Sequence, residues 1–497
     1  MAQAAMTAVS DDDPLRAGGA GAAPIGLARS LSFRLKLGYG LGEMAEGVKT
    51  AALETFLFFY YVQVIGLSGS LVGLALLIAL LFDGLVDPLI GHFSDNLRSR
   101  IGRRHPFLYL APLPLGIALW LLFSPPAALG QWGLFGWLLG FTAFSRLMQS
   151  FYFVPHMALG AELSTDFRER ISVSSYRNIF AFIGRLLVLW LAFSIFFRPV
   201  PGFPQGQLNG AGYPPFAVAC AVVAFVAILV SAATTQRRAV EVYHAVAARA
   251  EPEPASLLGN LVKAFKLRSF TIYFVAILIS YVLGGVQAAL GVHVNTFYWK
   301  LSAAGVQSVF FGTAFGFMAG SLLARALADR LDKKIGYISS VVVSVAINVA
   351  PITLAQLGLF PTGGAVLTPL LTTFAFLAGF AGGPAMVIAG AMLADVADAY
   401  ELRYRGRCEG FLFGASAFTR KASLGLGGAL AGVALDLIHF PRGVDAAHVP
   451  RDAAVHLALL YGPALFVFTT ISMSIMMMYD LTRAKHADIL EQLEKRR

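Results

Sequence analysis

The sequence predicts an all-α, polytopic membrane protein in which twelve transmembrane helices form two pseudo-symmetric six-helix halves. Its 497 residues are 57% hydrophobic and only 13% charged, whereas ordinary soluble domains are about 25% charged. Apolar runs of about 20 residues, the length that crosses a bilayer, recur along the chain. A weak internal repeat relates the halves. Asp95 and Gly102 in the first half correspond to Asp329 and Gly336 in the second, and the separation in sequence is the same for both pairs.

Twelve apolar runs are long enough to span the bilayer. They cover residues 37–64, 70–90, 106–123, 132–160, 174–197, 215–235, 270–297, 304–325, 336–357, 365–393, 411–438 and 455–478.

The loops between the runs predict the orientation and the domain boundaries. Arginine and lysine concentrate in alternate loops, and positive charge stays in the cytoplasm, so both termini should be cytoplasmic. The longest of these loops, 236–268, separates a six-helix bundle at 35–235 from a second at 269–478. Residues 1–34 lack the features of a signal peptide and are predicted to be a disordered cytoplasmic tail. Residues 479–497 form a cytoplasmic C-terminal tail.

Composition also restricts the classes of function. The net charge of +10 belongs to the loops, and no basic patch with interleaved aromatics indicates nucleic acid as a partner. No phosphate-binding loop or hydrolase motif is present, so neither an ATP-driven pump nor an enzyme is predicted. The expected partners are a small-molecule solute and the lipid bilayer, with no cofactor, and the expected state is a monomer. The Ala, Gly and Arg bias indicates a GC-rich bacterial source, so the expected location is the bacterial inner membrane.

Two aspartates inside the second run, Asp83 and Asp87, are the strongest functional signal. A four-residue spacing places both carboxylates on one face of a helix. Ionisable groups inside the membrane are costly and mark ion paths, cavities or partners. The pair therefore predicts a binding site for Na⁺ or H⁺. No metal other than this possible Na⁺ is expected. The alternative is a structural salt bridge to another helix.

The first run carries Glu43, Glu46, Lys49 and Glu54, which form one polar stripe at 100° per residue. The stripe is predicted to line a substrate cavity. As an alternative, Glu46 and Lys49 satisfy each other at i, i+3.

Further polar side chains lie inside the fourth and fifth runs. Arg146, Gln149, Tyr152 and Arg185 are assigned to the same cavity. A guanidinium group binds carboxylate or phosphate in a planar fork, so the arginines suggest an anionic or zwitterionic solute. The alternative is that they neutralise acidic residues of the first two helices. His156, directly after a proline, is read as an interhelical packing histidine.

Four segments together resemble a known family: residues 36–68, FDGLVDPLIGHFSD at 82–95, VPHMALGAELSTDFRER at 154–170 and ADVADAYELRYRGRCEG at 394–410. They are similar to the glycoside-pentoside-hexuronide:cation symporters of the major facilitator superfamily. The resemblance implies cation-coupled symport by alternating access, with the substrate site between the two halves.

The resemblance also implies roles for single residues. Asp83 and Asp87 match the paired cation-site aspartates, and Lys421 matches the buried lysine that couples cation occupancy to conformation. Arg420 precedes Lys421, and because the two project about 100° apart, only one is expected to face the cavity centre. The family's third cation-site aspartate is replaced by Phe153. Its sugar-binding aspartate and tryptophan fall at Gly47 and Met157, so sugar recognition should differ from that of melibiose permease.

Acidic and basic residues in two loops resemble the cytoplasmic gate of the superfamily. The gate would latch helix ends in the outward-facing state, although positive charge there also serves topology alone. Its predicted members are Asp95, Arg100, Arg103, Arg104, Asp329 and Arg330.

The predicted function is a cation-coupled secondary active symporter for a small polar solute such as a glycoside, sugar or uronide. A lysophospholipid:sodium symporter of the same fold is one alternative. A non-transporting sensor with the facilitator fold is the other.

Overall fold

The fold consists of helices crossing the membrane in succession. The computed structural model describes residues 31–164, 166–246, 262–404 and 409–495. The N-terminal half contains α1 (Phe33–Ala51, continued by Ala52–Leu57 and Tyr60–Val64), α2 (Gly69–Asn96), α3 (His105–Leu110 and Pro112–Leu122), α4 (Gln131–Glu162), α5 (Phe167–Leu191, continued by Ala192–Phe196) and α6 (Tyr213–Val246).

The C-terminal half repeats this series. It contains α7 (Arg268–His293, continued by Val294–Tyr298), α8 (Ala303–Ser321 and Ala324–Leu331), α9 (Lys333–Gln356), α10 (Leu367–Tyr404), α11 (Glu409–Leu437) and α12 (Arg451–Leu459, Leu460–Ala464 and Leu465–Met477). A shorter helix, α13 (Arg483–Glu494), follows.

Helix packing repeats with an offset of six helices. In the N-terminal half α1 packs on α5 and α6, α2 on α4, and α3 on α4 and α6. In the C-terminal half α7 packs on α11 and α12, α8 on α10, and α9 on α10 and α12. The halves meet along α2 and α11 and, less extensively, at α5 and α8. The prediction of twelve helices in two pseudo-symmetric halves is confirmed.

The predicted domain boundaries differ from the helix ends in places. α1 begins at Phe33, where the Ser32 side chain accepts a hydrogen bond from the Leu35 main-chain N–H and so caps the helix. α6 continues into the predicted central loop as far as Val246. Most of the predicted disordered tail, residues 1–30, and residues 247–261 of the loop lie outside the described residues. The C-terminal tail carries the helix α13.

Nine helical segments of the described residues are long and apolar enough to cross a membrane by length and composition alone. Of the helices α1 to α12, those that do not reach this standard are α1, α4 and α11. These three helices carry most of the charged and polar residues assigned to the cavity, including Glu46, Arg146 and Lys421. The reduced apolarity of three helices is therefore a direct consequence of the site they build.

The two halves are joined tightly at one end of the bundle, which we call the opposite face because the described chain ends lie at the other. Asp436, near the end of α11, accepts hydrogen bonds from the Ser68 hydroxyl (2.7 Å) and from the Gly69 and Ser70 main-chain N–H groups (3.2 and 2.8 Å). The Ser68 side chain does not cap α2 itself. A carboxylate of one half thus caps the first turn of a helix in the other, where helix termini favour negative charge.

Glycines allow the backbones to approach beside this cap. A Cβ atom at Gly432 would overlap the carbonyl oxygen of Gly69, and one at Gly73 would lie 2.5 Å from Ala429 Cα. Ser194 of α5 and Gln307 of α8 form a 3.0 Å hydrogen bond at the same face. The opposite face is therefore closed.

The other end of the bundle, the termini face, carries α13. The Arg483 side chain donates hydrogen bonds to the main-chain oxygens of Ala328 and Asp329 at the end of α8 (2.7 and 2.9 Å). His486 contacts Asp398 at 2.9 Å. The C-terminal helix is thus fastened to the C-terminal half.

Candidate functional site

The centre of the site is a charge cluster shared by the two halves. The Lys421 ammonium group of α11 lies 3.1 Å from Asp83 Oδ2 and 2.7 Å from Asp87 Oδ2, both on α2. The Ser150 hydroxyl of α4 lies 3.1 Å from Asp83 and 2.6 Å from Asp87. The side chain of Asp83 is 7% exposed and that of Asp87 27%. One lysine of the C-terminal half is thus held by two carboxylates of the N-terminal half.

Further charges lie close by on α1 and α4. Arg146 approaches Asp83 at 3.4 Å. Glu46 pairs with Lys49 at 3.2 Å and accepts hydrogen bonds from Thr50 and Gln149. For Arg146, and for the Glu46–Lys49 pair, the structure therefore shows the internal neutralisation that the sequence left as the alternative.

A cavity opens beside this cluster, between the halves. The N-terminal half lines it with charged and polar side chains: Glu46, Lys49, Thr50, Glu54, Asp83, Thr142, Arg146 and Arg185. The C-terminal half contributes Arg420 and Lys421 together with the small residues Gly285, Ala288, Ala289, Gly425 and Gly428.

Several lining groups are free to bind a solute. Arg185, Arg420 and Glu54 form no ion pair or hydrogen bond within the described part of the chain. The Thr142 hydroxyl and Arg146 Nε are buried and have no hydrogen-bond partner there. Buried polar groups of this kind are normally satisfied, so the cavity presents two guanidinium groups, one carboxylate and a hydroxyl to a ligand.

The structure corrects three assignments to this cavity. Glu43 lies one turn closer to the termini face, where α4 and α5 cover α1, and contacts His156 and Arg177. The Gln149 side-chain amide donates a hydrogen bond to Glu46 and does not line the cavity. Tyr152 is buried against His156 in ring stacking, with centroids 5.0 Å apart. None of the three lines the cavity, because a helical stripe predicts direction but not the depth at which neighbouring helices cover it.

The sequence predicted that only one of Arg420 and Lys421 would face the cavity centre. Both Arg420 and Lys421 line the cavity, although their directions differ by about 100°. The long arginine side chain and the small residues of α7 and α11 let both cations reach the same space. The sequence signal for a cavity position of Arg420 was its place directly before the cavity lysine Lys421.

Gly47, where the family has its sugar-binding aspartate, packs against α5. A Cβ atom there would overlap the main-chain oxygen of Ala181. Any side chain at this position would separate α1 from α5, so a glycine is needed and the cavity takes its polar groups from elsewhere.

The predicted gate residues form ion pairs on the termini face of the N-terminal half. Arg104, only 5% exposed, contacts Asp95, Glu162 (2.9 Å) and the Ser94 hydroxyl (2.6 Å). Arg103 also reaches Glu162 at 2.8 Å. These pairs connect α2, α3 and α4 within one half.

The corresponding pair of the C-terminal half is not the predicted one. Asp329 contacts Arg325 of its own helix at 3.7 Å, and both are exposed. Arg330 and Arg100 make no ion pair among the described residues. Instead Lys333, at the start of α9, contacts Asp395 of α10 at 2.6 Å, as Arg104 before α3 contacts Glu162 of α4. The sequence repeat correctly relates the two loops but does not predict which basic residue of the C-terminal half finds an acidic partner on the neighbouring helix.

Comparison with known proteins decides the family. Residues 38–483 match the family described as MFS/sugar transport protein. The chain belongs to this family. Among curated relatives it is 27% identical to the uncharacterized symporter sll1374 of Synechocystis, over 94% of this chain and 98% of the relative. It is 25% identical to the putative glycoside/cation symporter YagG of Escherichia coli (94% and 96% covered). Identity to the glucuronide carrier protein homolog of Escherichia coli is 24% (94% and 97% covered).

Solved structures show the same fold. A bacterial homolog of the human lysosomal transporter Spinster, in an inward-facing and unoccupied conformation, has a TM-score of 0.60 at 14% identity, with 92% of this chain and 97% of that chain covered. The xylose transporter XylE from E. coli, in a partially occluded inward-open conformation, has a TM-score of 0.57 at 12% identity (91% and 98% covered). The predicted symporter family and facilitator fold are confirmed.

Proposed function

We propose that this protein is a cation-coupled symporter that carries a sugar acid or an acidic glycoside, such as a uronide, by alternating access. The single observation behind the proposal is the composition of the cavity between the halves. Lys421 is held there by Asp83 and Asp87, while the guanidinium groups of Arg185 and Arg420 have no anionic partner among the described residues. The relatives named as glycoside and glucuronide carriers support the solute class.

Coupling follows from competition for the carboxylates. A Na⁺ ion or a proton at Asp83 and Asp87 neutralises the charge that now holds Lys421. The lysine belongs to the other half, so its release removes an electrostatic link between the halves. Carboxylate oxygens suit Na⁺ as hard ligands, and a paired carboxylate can also hold a proton. Because Phe153 replaces the third carboxylate of the family's cation site, both H⁺ and Na⁺ remain candidates for the coupling ion.

Solute recognition uses the free polar groups. The two guanidinium groups bind a carboxylate of the solute in charge-assisted hydrogen bonds. Glu54 and the Thr142 hydroxyl are available to sugar hydroxyl groups. Arg146 is engaged with Asp83 and serves the cation site.

The closed opposite face gives the direction of access. With the termini cytoplasmic, as the positive-inside rule predicts, the structure corresponds to an inward-facing state in a bacterial inner membrane. The monomeric state, and the expectations of no enzyme activity, cofactor or nucleic-acid partner, remain predictions.

The test is ligand-induced thermal stabilisation of the purified protein, since binding to the folded state raises its stability by mass action. The probes are p-nitrophenyl-β-D-glucuronide, p-nitrophenyl-β-D-glucoside and lysophosphatidylcholine. Each is added with Na⁺ or with choline, at neutral and at acidic pH. We expect the glucuronide to stabilise most and the coupling cation to enhance its effect.

Variants locate the effect. Arg185→Gln and Arg420→Gln should remove the preference for the glucuronide over the glucoside. The control Arg198→Gln, beyond the end of α5 and outside the cavity, should keep it. Equal stabilisation by both glycosides in the wild type would refute an acidic solute. Stabilisation by lysophosphatidylcholine alone would make the protein a lipid carrier, and no response to any probe would favour a sensor.

A further inference from the structure

A second cluster of buried ionisable side chains lies in the N-terminal half, outside the central cavity. Glu43 of α1, His156 of α4 and Arg177 of α5 meet there. His156 is completely buried. Its ring lies between the rings of Tyr39 and Tyr152, with centroids 4.3 and 5.0 Å away. The proposed transport cycle uses none of these residues.

The hydrogen bonds of His156 define which ring nitrogen carries a hydrogen. Nε2 lies 3.1 Å from the main-chain oxygen of Tyr39 and 3.3 Å from the Ser231 hydroxyl. A carbonyl oxygen can only accept, so Nε2 is a donor. In a neutral imidazole, Nδ1 is then a bare lone pair.

That lone pair faces a carboxylate. His156 Nδ1 lies 3.6 Å from Glu43 Oε2, and neither atom has a hydrogen-bond partner among the described residues. An ionised carboxylate can also only accept. Two buried acceptors would therefore face each other without a hydrogen between them, an arrangement that costs several kcal/mol in an apolar interior.

We propose that Glu43 and His156 bind one proton between them, forming a buried protonation site separate from the central carboxylates. The proton converts two opposed acceptors into a donor and an acceptor. When it resides on the ring, the faces of Tyr39 and Tyr152 stabilise the imidazolium through cation–π contact. Arg177 Nε approaches the other carboxylate oxygen, Oε1, at 3.8 Å, so Oε2 is left to the histidine.

The surroundings of the site contain the following titratable or polar groups. Tyr39 and Glu43 face His156 from α1, Tyr152 from its own helix, Arg177 from α5 and the Ser231 hydroxyl from α6. His105 of α3 is the next titratable group beyond them. The Arg177 side chain is 21% exposed, whereas His156 is completely buried.

The proton acts on a helix that lines the cavity. Glu43 precedes Glu46 by one turn of α1. A Cβ atom at Gly42 would collide with Tyr152, Ser231 and His156, so α1 rests directly on the cluster. Proton binding therefore ties α1 to α4 within the N-terminal half. The site does not depend on the proposed solute or coupling ion.

The experiment is solid-state NMR on the full-length protein with ¹⁵N-labelled histidine, reconstituted in lipid. The His156 signals are identified by their loss in His156→Gln. We expect either an imidazolium at His156 at neutral pH or a protonated carboxyl group at Glu43. The latter appears in the infrared spectrum as a carboxylic-acid band that Glu43→Gln removes. In Glu43→Gln the amide donates to Nδ1, so the ring should become neutral.

His105 is the matched control in the same spectrum. It is buried, and its Nε2 also lies 3.1 Å from a main-chain oxygen, that of Ala232, but no carboxylate of the described residues pairs with its ring. It should be neutral in every variant. A bare Nδ1 at His156 together with an ionised Glu43 in the wild type would overturn the proposal, because a bridging water would then satisfy both atoms.

Thermal unfolding supplies a second, independent readout. As pH rises and the proton leaves, the two acceptors face each other, so the wild type should lose stability in that range. Glu43→Gln should abolish this step, and His105→Gln should retain it. Identical pH profiles for the wild type and Glu43→Gln would refute the proposal even if His156→Gln fails to fold.

Discussion

The two halves share one architecture but differ in what they bury. The buried acidic and basic side chains among the described residues of the N-terminal half are Glu43, Lys49, Asp83 and Arg104, with His105 and His156 beside them. In the C-terminal half the corresponding residues are Asp395 and His293. Buried ionisable side chains are therefore concentrated in the half that contains α1 to α6.

The C-terminal half contributes mainly close contact. Apart from Arg420 and Lys421, the residues it places around the cavity are small or apolar. Its helix α11 approaches α2 through glycines at both the cavity and the opposite face. The N-terminal half thus carries most of the buried charge and the C-terminal half supplies small residues for close packing, while Lys421 connects the two.

The largest effect is expected from removing a charge of the N-terminal half. Breaking a buried charge cluster by removing one partner costs about 3–5 kcal/mol, so Asp83→Asn should abolish gradient-driven uptake of p-nitrophenyl-β-D-glucuronide into proteoliposomes. Asp87→Asn should have a smaller effect because Asp87 is more exposed. The control Asp445→Asn, in the loop after α11, should transport normally. Undiminished accumulation by Asp83→Asn would contradict the assigned asymmetry.

The next largest effect tests the close contact made by the C-terminal half. In Gly432→Ala the new methyl group overlaps the Gly69 carbonyl oxygen, so the opposite face should no longer close and uptake should fall about tenfold or more. Gly414→Ala, on the same helix with nothing within 4 Å, is the matched control. Spin-label distances across the opposite face measure the closure. Equal behaviour of the two variants would remove the role of small residues.

The equivalent ion pairs on the termini face compare the halves directly. Arg104 is buried with three partners, so Arg104→Gln should lower the free energy of unfolding by about 3 kcal/mol. Lys333 is 33% exposed, and its buried partner Asp395 keeps a contact with His486 at 3.5 Å. Lys333→Gln should therefore cost less, about 1–2 kcal/mol. Unfolding in mixed micelles measures both, with Arg330→Gln as the control. Equal losses would show that the halves do not differ in this respect.

The smallest effect concerns Asp436, an acid of the C-terminal half that contacts the N-terminal half. Asp436→Asn removes the charge that caps α2, an interaction of about 1–2 kcal/mol. The population open at the opposite face should rise about 5–30-fold. Spin labels at positions 130 and 443, in a chain with Cys220 and Cys408 replaced by serine, measure it. Asp452→Asn, an exposed acid at the same face, should leave the distances unchanged, and a similar shift there would refute the cap.

The sequence predicts best those features that depend on short-range pattern. Hydrophobic run length predicts all twelve helices to within about ten residues at their ends, and the four-residue spacing of Asp83 and Asp87 places both carboxylates at Lys421. Whether these residues bind the cation stays a prediction.

Features that depend on the meeting of helices distant in sequence were not predictable. The burial of Glu43 by α4 and α5 requires the depth of packing, which periodicity does not contain. The capping of α2 by Asp436 and the Lys333–Asp395 pair need the relative height of helices from different parts of the chain. The entry of Arg420 into the cavity depends on how close α7 and α11 can approach.

The shortfall in apolarity of α1, α4 and α11 also affects how the protein is made. Insertion of a helix into the bilayer depends on its hydrophobicity, and charged residues at its centre oppose insertion. These three helices therefore need help during biosynthesis from more apolar neighbours, such as α2 for α1 and α3 for α4. α11 emerges last of the three, and its Lys421 meets Asp83 and Asp87 already in place. The charged cavity thus makes the insertion of these helices depend on their neighbours.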